Sequence, residues 1–278
     1  MKLVLCKNLF DQKVWVTRDS AGAFRRHGGF DIPALCLIEY LASKFSGAIA
    51  ADIGANIGNH TVVLAKFCAR VMCFEPRLNI EDTLRKNVDQ NGLTNCTLVA
   101  AGLSDKADVA PLYLGDNAEG GSTTFVHGLT SGNRKSIDVP LLIGDEYFSE
   151  IGVDRLDIVK LDVEGMEANV VMGMAHTIEK FQPIFLMEWN NDVTRRAFAE
   201  KLIFDTIFKG YTLIGVRSKD ARELFPKNAL GWISRKFARI INARGFVAVP
   251  FEVEKNFETL VLVPRAKLKM LERLSIML

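Results

Sequence analysis

Four apolar runs in this chain end on a carboxylate: Asp52 in AIAADIG, Glu75 in VMCFEP, Asp162 in DIVKLD and Glu188 in PIFLMEW. Acids at the ends of buried strands can hold ribose hydroxyls, attract a cation or take a proton from a reacting group. Other polar residues stand beside them: Gly54, Asn56, Gly58, His60 and Thr61 in ADIGANIGNHT, and Glu164 in KLDVEG. Glycines between an apolar run and a helical one usually cradle a phosphate, because bare N–H groups at a helix N-terminus bind anions. Here the dinucleotide pattern lacks one of its three glycines, and Asp52 sets a negative charge where a pyrophosphate would lie. The turn therefore suits an adenosine-like ligand without phosphates and with a positive charge nearby. S-adenosylmethionine meets that description, and Asp52, Gly54, Asn56, Gly58 and Thr61 are its candidate contacts. Glu75 stands about 20 residues beyond the turn, the offset at which a doubly wound fold places an acid on a ribose diol; its competing role is a surface acid at a strand end.

The elements that must position these residues alternate. Residues 1–29 read as an N-terminal hairpin extension. Asp31 to Phe45 carries helical spacing with Asp31 and Pro33 as cap and first turn, and from Ala48 strands and helices follow one another. That rhythm predicts an α/β fold, a doubly wound and mostly parallel sheet with helices on both faces. It breaks over Asp105 to Asp138, a loop-rich stretch with an extra strand at APLYL, and CTLVAAGL reads as one strand. The main domain spans 30–265, with a basic helical insertion at about 217–250, and 266–278 reads as a C-terminal helix.

Composition limits the partners. The net charge of +2 gives no whole-chain case for nucleic acid or an anionic membrane. Between Arg217 and Arg244, however, eight basic residues face two acidic ones. The choices there are a solvated helix face or a peripheral contact with an anionic surface. The five cysteines have no paired spacing, the N-terminus lacks the apolar core of a secretory signal, and no apolar run reaches membrane-spanning length. A reduced, cytoplasmic protein is expected. His27, His127 and His176 show no ligand spacing, so no metal is expected; the alternative is a divalent ion on Asp162, Glu188 and Asn190.

ADIGANIGNHT, FEP, LSD, and above all DIVKLDVEGMEANVVMGM followed by PIFLMEW resemble the FkbM-type S-adenosylmethionine-dependent methyltransferases, from about Phe30 to Trp189. The resemblance implies a seven-stranded Rossmann-like methyltransferase sheet and methyl transfer to a hydroxyl of a sugar, glycolipid or secondary metabolite. The acceptor is then a hydroxylated small molecule, glycan or lipid-linked sugar. Ser104 and Asp105 match positions that edge the adenine in such folds, with turn capping the competing role for Asp105. LLIGDEYF and the long basic insertion depart from the family pattern and bear on the acceptor.

Methyl transfer to an alcohol requires alignment, exclusion of water and a group that takes the hydroxyl proton as the new bond forms. Asp162 is expected near the methyl and Glu188 or Glu164 toward the acceptor, with His60 as a third proton acceptor. Glu164 with Gly165 can instead cap the next helix, and His60 can instead bond backbone at its helix start. Competing functions are a nucleic-acid or protein methyltransferase, a non-catalytic scaffold and, last, a dehydrogenase. EWNND lacks the Asn-Pro-Pro-aromatic pattern of amino-methylating enzymes.

Overall fold

The computed structural model describes residues 2–114, 123–125, 135–218 and 246–271. An N-terminal hairpin of β1 (Leu3–Lys7) and β2 (Lys13–Thr17) is followed by helices α1 (Ala21–His27) and α2 (Ile32–Ala42). Then come β3 (Ile49–Ile53), α3 (Asn59–Phe67), β4 (Arg70–Phe74), α4 (Leu78–Gln90), β5 (Cys96–Val99), β6 (Gly102–Ser104), β7 (Asp108–Leu114), β8 (Thr123–Thr124) and β9 (Lys135–Ile143). The second half comprises α5 (Gly144–Glu150), β10 (Ile158–Leu161), α6 (Glu167–Gly173), α7 (Ala175–Phe181), β11 (Ile184–Trp189), α8 (Asp192–Glu200), β12 (Tyr211–Ser218), β13 (Phe246–Pro250), β14 (Phe257–Pro264) and a 3₁₀ turn at Arg265–Leu271.

The central sheet has the order β13-β12-β14-β11-β10-β3-β4-β5. From β11 to β5 all neighbours are parallel, and β14, β12 and β13 attach by antiparallel pairing. Strands β3, β4 and β10 are buried on both faces apart from their entry residues, which is why they read as unbroken apolar runs. One core gathers Leu35, Ile38 and Leu41 of α2 with Val62 of α3 and Leu84 of α4. The other gathers Phe148, Val170, Ile178 and Phe198 from α5 to α8. Helices therefore cover both faces, and this is the doubly wound architecture. Strand β3 has β4 on one side and β10 on the other, so the order reverses there; the crevice of such a sheet opens at that point.

The sheet has eight strands rather than seven. The added edge strand, β13, pairs with β12 at Arg217↔Val247 and Ser218↔Phe246. Both ends of the stretch read as a basic helical insertion are thus strand, and its middle, 219–245, lies outside the described residues, as does the surface contact considered for it. Residues 272–278 also lie outside them. CTLVAAGL is two strands: β5 completes the central sheet, while β6 joins β9, β7 and β8 in a four-stranded sheet. Ala100 and Ala101 make the bend that sends the chain from one sheet to the other.

Asparagine side chains fasten the N-terminal segment. Asn87 Nδ2 donates to the Trp15 carbonyl at 3.0 Å while its Oδ1 accepts from the Trp15 N–H at 2.6 Å. Asn91 grips Lys13 in the same two-way manner, and Asn59 grips Phe30. Each amide satisfies the main-chain N–H and carbonyl of one residue, on the edge of β2 for Lys13 and Trp15 and ahead of α2 for Phe30. Among the described residues no helix is long and apolar enough to cross a membrane.

Candidate functional site

A cavity of about 260 Å³ opens at the carboxyl ends of β3, β4, β10 and β11. It gathers Gly54, Asn56, His60, Glu75, Asp162, Glu164 and Glu188 of the candidates, together with Arg77, Phe30, Thr17 and Ser20. The positive φ of Gly54 (+86°) lets the turn after β3 pass against the end of β10. Apolar contact comes from Leu103, Leu112, Phe125 and Met166.

Five candidates lie outside the lining. Asp52 is wholly buried, and its Oδ2 accepts a 2.5 Å bond from Thr61 Oγ1, tying β3 to α3. Burial pushes its carboxyl pKa up, although His60 and the Thr61 bond oppose the shift. The charge expected to greet a ligand is therefore turned into the protein, because strand alternation points residue 52 to the α2–α3 face and the helix closes over it. Thr61 is buried in that bond, and Gly58 supplies the left-handed N-cap of α3 (φ +92°). Ser104 and Asp105 bond one another and Asn169, and it is Leu103 that reaches the cavity.

The turn offers little to a phosphate. Gly54 and Ala55 donate their N–H groups to the Phe74 carbonyl, Asn56 to Glu75 Oε2, and Gly58 to the Ala55 carbonyl. Glu75 is clasped from its other side: Oε1 accepts from Arg77 N at 3.1 Å and from Arg77 Nε at 3.0 Å. Arg77 is only 3% exposed and has a buried nitrogen, Nη1, with no partner among the described residues. Sequence reasoning missed it, since FEPR reads as an arginine at a loop entrance.

Lys160, also missed, lies beneath the cavity with no exposure at all. Its Nζ stands 3.0 Å from Asp162 Oδ2 and 3.6 Å from Asp31 Oδ2. The charges of Asp162 and Asp31 more than offset the desolvation of this ammonium, so its pKa is raised. Asp162 is likewise held below its ordinary value: burial opposes ionisation, but Lys160, His60 and the bond to Glu188 together outweigh it. Asp31 caps α2 by accepting from Ala34 N, accepts from Thr259 Oγ1 at 3.0 Å, and faces His60 Nε2 at 3.6 Å. Glu167, buried, receives the N–H groups of Val163 and Gly165 and the hydroxyl of Thr194, which fixes the loop carrying Glu164.

Asp162, Glu164 and Glu188 each offer a carboxylate oxygen within 4.8 Å of the others, a spacing open to a divalent cation. Asn190, the third ligand considered from sequence, is exposed and paired with Asn191. A register shift between Met187 and Trp189 re-aims the strand at Glu188. Burial and the charges of Asp162 and Glu164 push Glu188 up to about 9, and burial with Asp162 and Glu167 pushes Glu164 to about 7. Three neighbouring acids thus hold three different affinities for a proton.

This has a measurable consequence for stability. The folded chain keeps on Glu188, up to about pH 9, a proton that the unfolded chain has released by about 4.5, so stability falls as pH rises between those two values. Glu188→Gln removes the slope. Its melting temperature relative to wild type should be unchanged near pH 4.5 and higher by pH 9; a constant difference across the range would show that Glu188 ionises normally.

A hexuronic acid methyltransferase, AglP of Haloferax volcanii, is 29% identical over 135 residues, 46% of this chain and 50% of that protein. Methyltransferase sdnD of Sordaria araneosa is 28% identical over 163 residues, 48% of this chain and 63% of that one. The matched stretches thus span half to somewhat under two thirds of these relatives. Among solved structures, an FkbM methyltransferase of Methylobacillus flagellatus KT has a TM-score of 0.44 at 20% identity, covering 63% of this chain and 41% of its own. SMU.1697c of Streptococcus mutans, solved with SAH, has a TM-score of 0.45 at 11% identity, covering 84% and 97%. The family description "Methyltransferase FkbM domain" matches residues 52–209, from the end of β3 past α8, and the chain belongs to that family.

Proposed function

We propose that this protein is an S-adenosylmethionine-dependent methyltransferase that methylates a hydroxyl of a sugar, glycolipid or small metabolite. The observation that carries the reading is the carboxyl lining of the cavity. Glu75, Asp162, Glu164 and Glu188 line it against one guanidinium, and the N–H groups of Gly54, Ala55, Asn56 and Gly58 are already bonded, so it offers carboxyl oxygens to a cation and few donors to a pyrophosphate. The orphan Arg77 nitrogen and the remaining lone pairs of Glu75 fit the ribose diol and its neighbouring acceptors. When bound, S-adenosylmethionine supplies an activated methyl on its sulfonium. Asn56 and Glu75 hold the nucleoside end, and Asp162, ionised beside Lys160, faces the positive charge.

The protein's own share of the chemistry is to orient the hydroxyl and take its proton. Glu188 carries a proton at neutral pH and serves as a hydrogen-bond donor. Asp162 is committed to Lys160. Glu164 and His60 remain as proton acceptors. The named activity of one relative, a hexuronic acid methyltransferase, favours a sugar acceptor.

The test is titration calorimetry with S-adenosylhomocysteine and with NAD, followed by methyl transfer to methyl glycosides of hexoses and hexuronic acids. Binding of the first alone, and labelled methyl on a glycoside, is the expected result. Binding of NAD in preference would overturn the reading.

A further inference from the structure

Asp31 and His60 face one another across a helix N-terminus, and neither the strand-end logic nor the ribose logic accounts for their pairing. His60 lies in the first turn of α3, is 8% exposed and lines the cavity. Its Nε2 stands 3.6 Å from Asp31 Oδ2 and 3.4 Å from Asn59 Nδ2, an amide nitrogen that already donates to the Phe30 carbonyl. Asp31 is itself locked: Oδ1 accepts from Ala34 N at 3.3 Å and from Thr259 Oγ1 at 3.0 Å, and Oδ2 also faces Lys160 Nζ at 3.6 Å. Its backbone sits in the left-handed region (φ 46°, ψ 56°), which an aspartate enters at some cost and only where the surroundings impose it. Burial disfavours the carboxylate, yet the His60 bond and the Lys160 charge keep it ionised. It is an acceptor toward the ring, held from both oxygens.

We propose that Asp31 positions His60 as the general base of the methyl transfer, by accepting its Nε2–H and so leaving the Nδ1 lone pair for the acceptor's hydroxyl proton. In that step the hydroxyl oxygen forms its bond to the methyl carbon, the carbon–sulfur bond breaks with its electron pair going to sulfur, and the proton passes to Nδ1. The inference rests on the methyl-transfer reading above. Glu164, the other remaining acceptor, differs in one respect: no side-chain or backbone donor orients its carboxylate among the described residues, whereas an effective base is held by a third group. His60 has that third group in Asp31.

Asp31→Asn distinguishes the alternatives. The Asn carbonyl must stay on Ala34 N and Thr259 to keep the helix cap, so its NH₂ turns to the ring and becomes a donor to Nε2. The imidazole is then forced into the Nδ1–H tautomer, as a carboxylate-to-amide change does in a catalytic triad. Nitrogen-15 NMR of the histidines in the full, ligand-free chain reads this directly. The expected result is Nε2–H in wild type and Nδ1–H in Asp31→Asn. Methylation of the glycoside probes should fall roughly 10²- to 10⁴-fold, with S-adenosylhomocysteine affinity within about twofold. His60→Gln should lose as much, and the double variant no more than either. An unchanged tautomer, or Nδ1–H already present in wild type with Nε2 accepting from Asn59 Nδ2, overturns the positioning role. A normal rate in His60→Gln overturns the base assignment and passes it to Glu164; that variant leaves the Asp31 cap intact and decides the matter even if Asp31→Asn does not fold. Should the wild-type protein bind no S-adenosylhomocysteine, the functional reading fails while the tautomer measurement still stands.

Discussion

Gly54→Ala should lower stability by about 3 kcal/mol or more and remove S-adenosylhomocysteine binding. A Cβ at this position would lie 1.8 Å from the Asp162 carbonyl oxygen and 2.8 Å from its carbon, both backbone atoms that cannot rotate away. Overpacking of a rigid interior costs about 1–3 kcal/mol and occasionally more, and the left-handed φ of +86° adds about 1–2 kcal/mol for any L side chain. The two contributions can be separated. Gly92 also has a positive φ (+61°), but nothing lies within 4 Å of its would-be Cβ. Gly92→Ala should therefore lose about 1 kcal/mol in urea titrations and leave ligand binding intact. Equal losses in the two variants would mean that the ends of β3 and β10 are not in such close contact.

Lys160→Met is expected to cost about 3 kcal/mol at pH 7, because it strands two partly buried carboxylates that share one buried ammonium. The sign of its pH dependence follows from Asp31 and Asp162. In wild type both are held below their ordinary value, so their contribution is present at neutral pH and is lost as pH falls through the lowered values. Without Lys160 the same carboxylates favour the proton, and the gap between variant and wild type should narrow from pH 7 toward pH 4. Asp162→Asn added to Lys160→Met should recover part of the loss. Strict additivity in urea titrations at pH 7 would show that the ammonium and carboxylate do not interact.

The parts of this molecule that repeat with period were readable from sequence, and the parts that depend on distant meetings were not. IAADI, RVMCF, IVKL and IFLMEW announce buried parallel strands because both of their faces are covered. Glu75 and Asp162 follow from standing just beyond the ends of such strands, whereas Glu188, one residue before the end of β11, reaches the cavity where the register shifts between Met187 and Trp189. Asp52 also stands one residue before a strand's end, but in an unbroken register it points to the α2–α3 face and meets Thr61 instead of the cavity. Lys160 lies inside an apolar strand, where local pattern gives no reason for a charge; the reason is Asp31, far back in the chain. Asp31 reads as a helix cap, and it is one, but its bond to Thr259 spans 228 positions. No window of residues contains that contact. The split of CTLVAAGL was hidden for a related cause, since which sheet a strand joins is decided by its partner, here β9 for β6.

The asparagine clasps on the N-terminal segment have an evolutionary corollary. Asn59 recognises residue 30 through its main-chain N–H and carbonyl alone, and Asn87 does the same at residue 15. Every amino acid except proline offers that same pair of groups. The side chain at position 30, which forms part of the cavity wall and packs edge-on against Phe24, takes no part in that main-chain fastening. Drift at this position can reshape what the cavity admits without loosening its frame. A lineage bearing this fastening can vary that part of the wall by single substitutions while the main-chain clasp stays as it is.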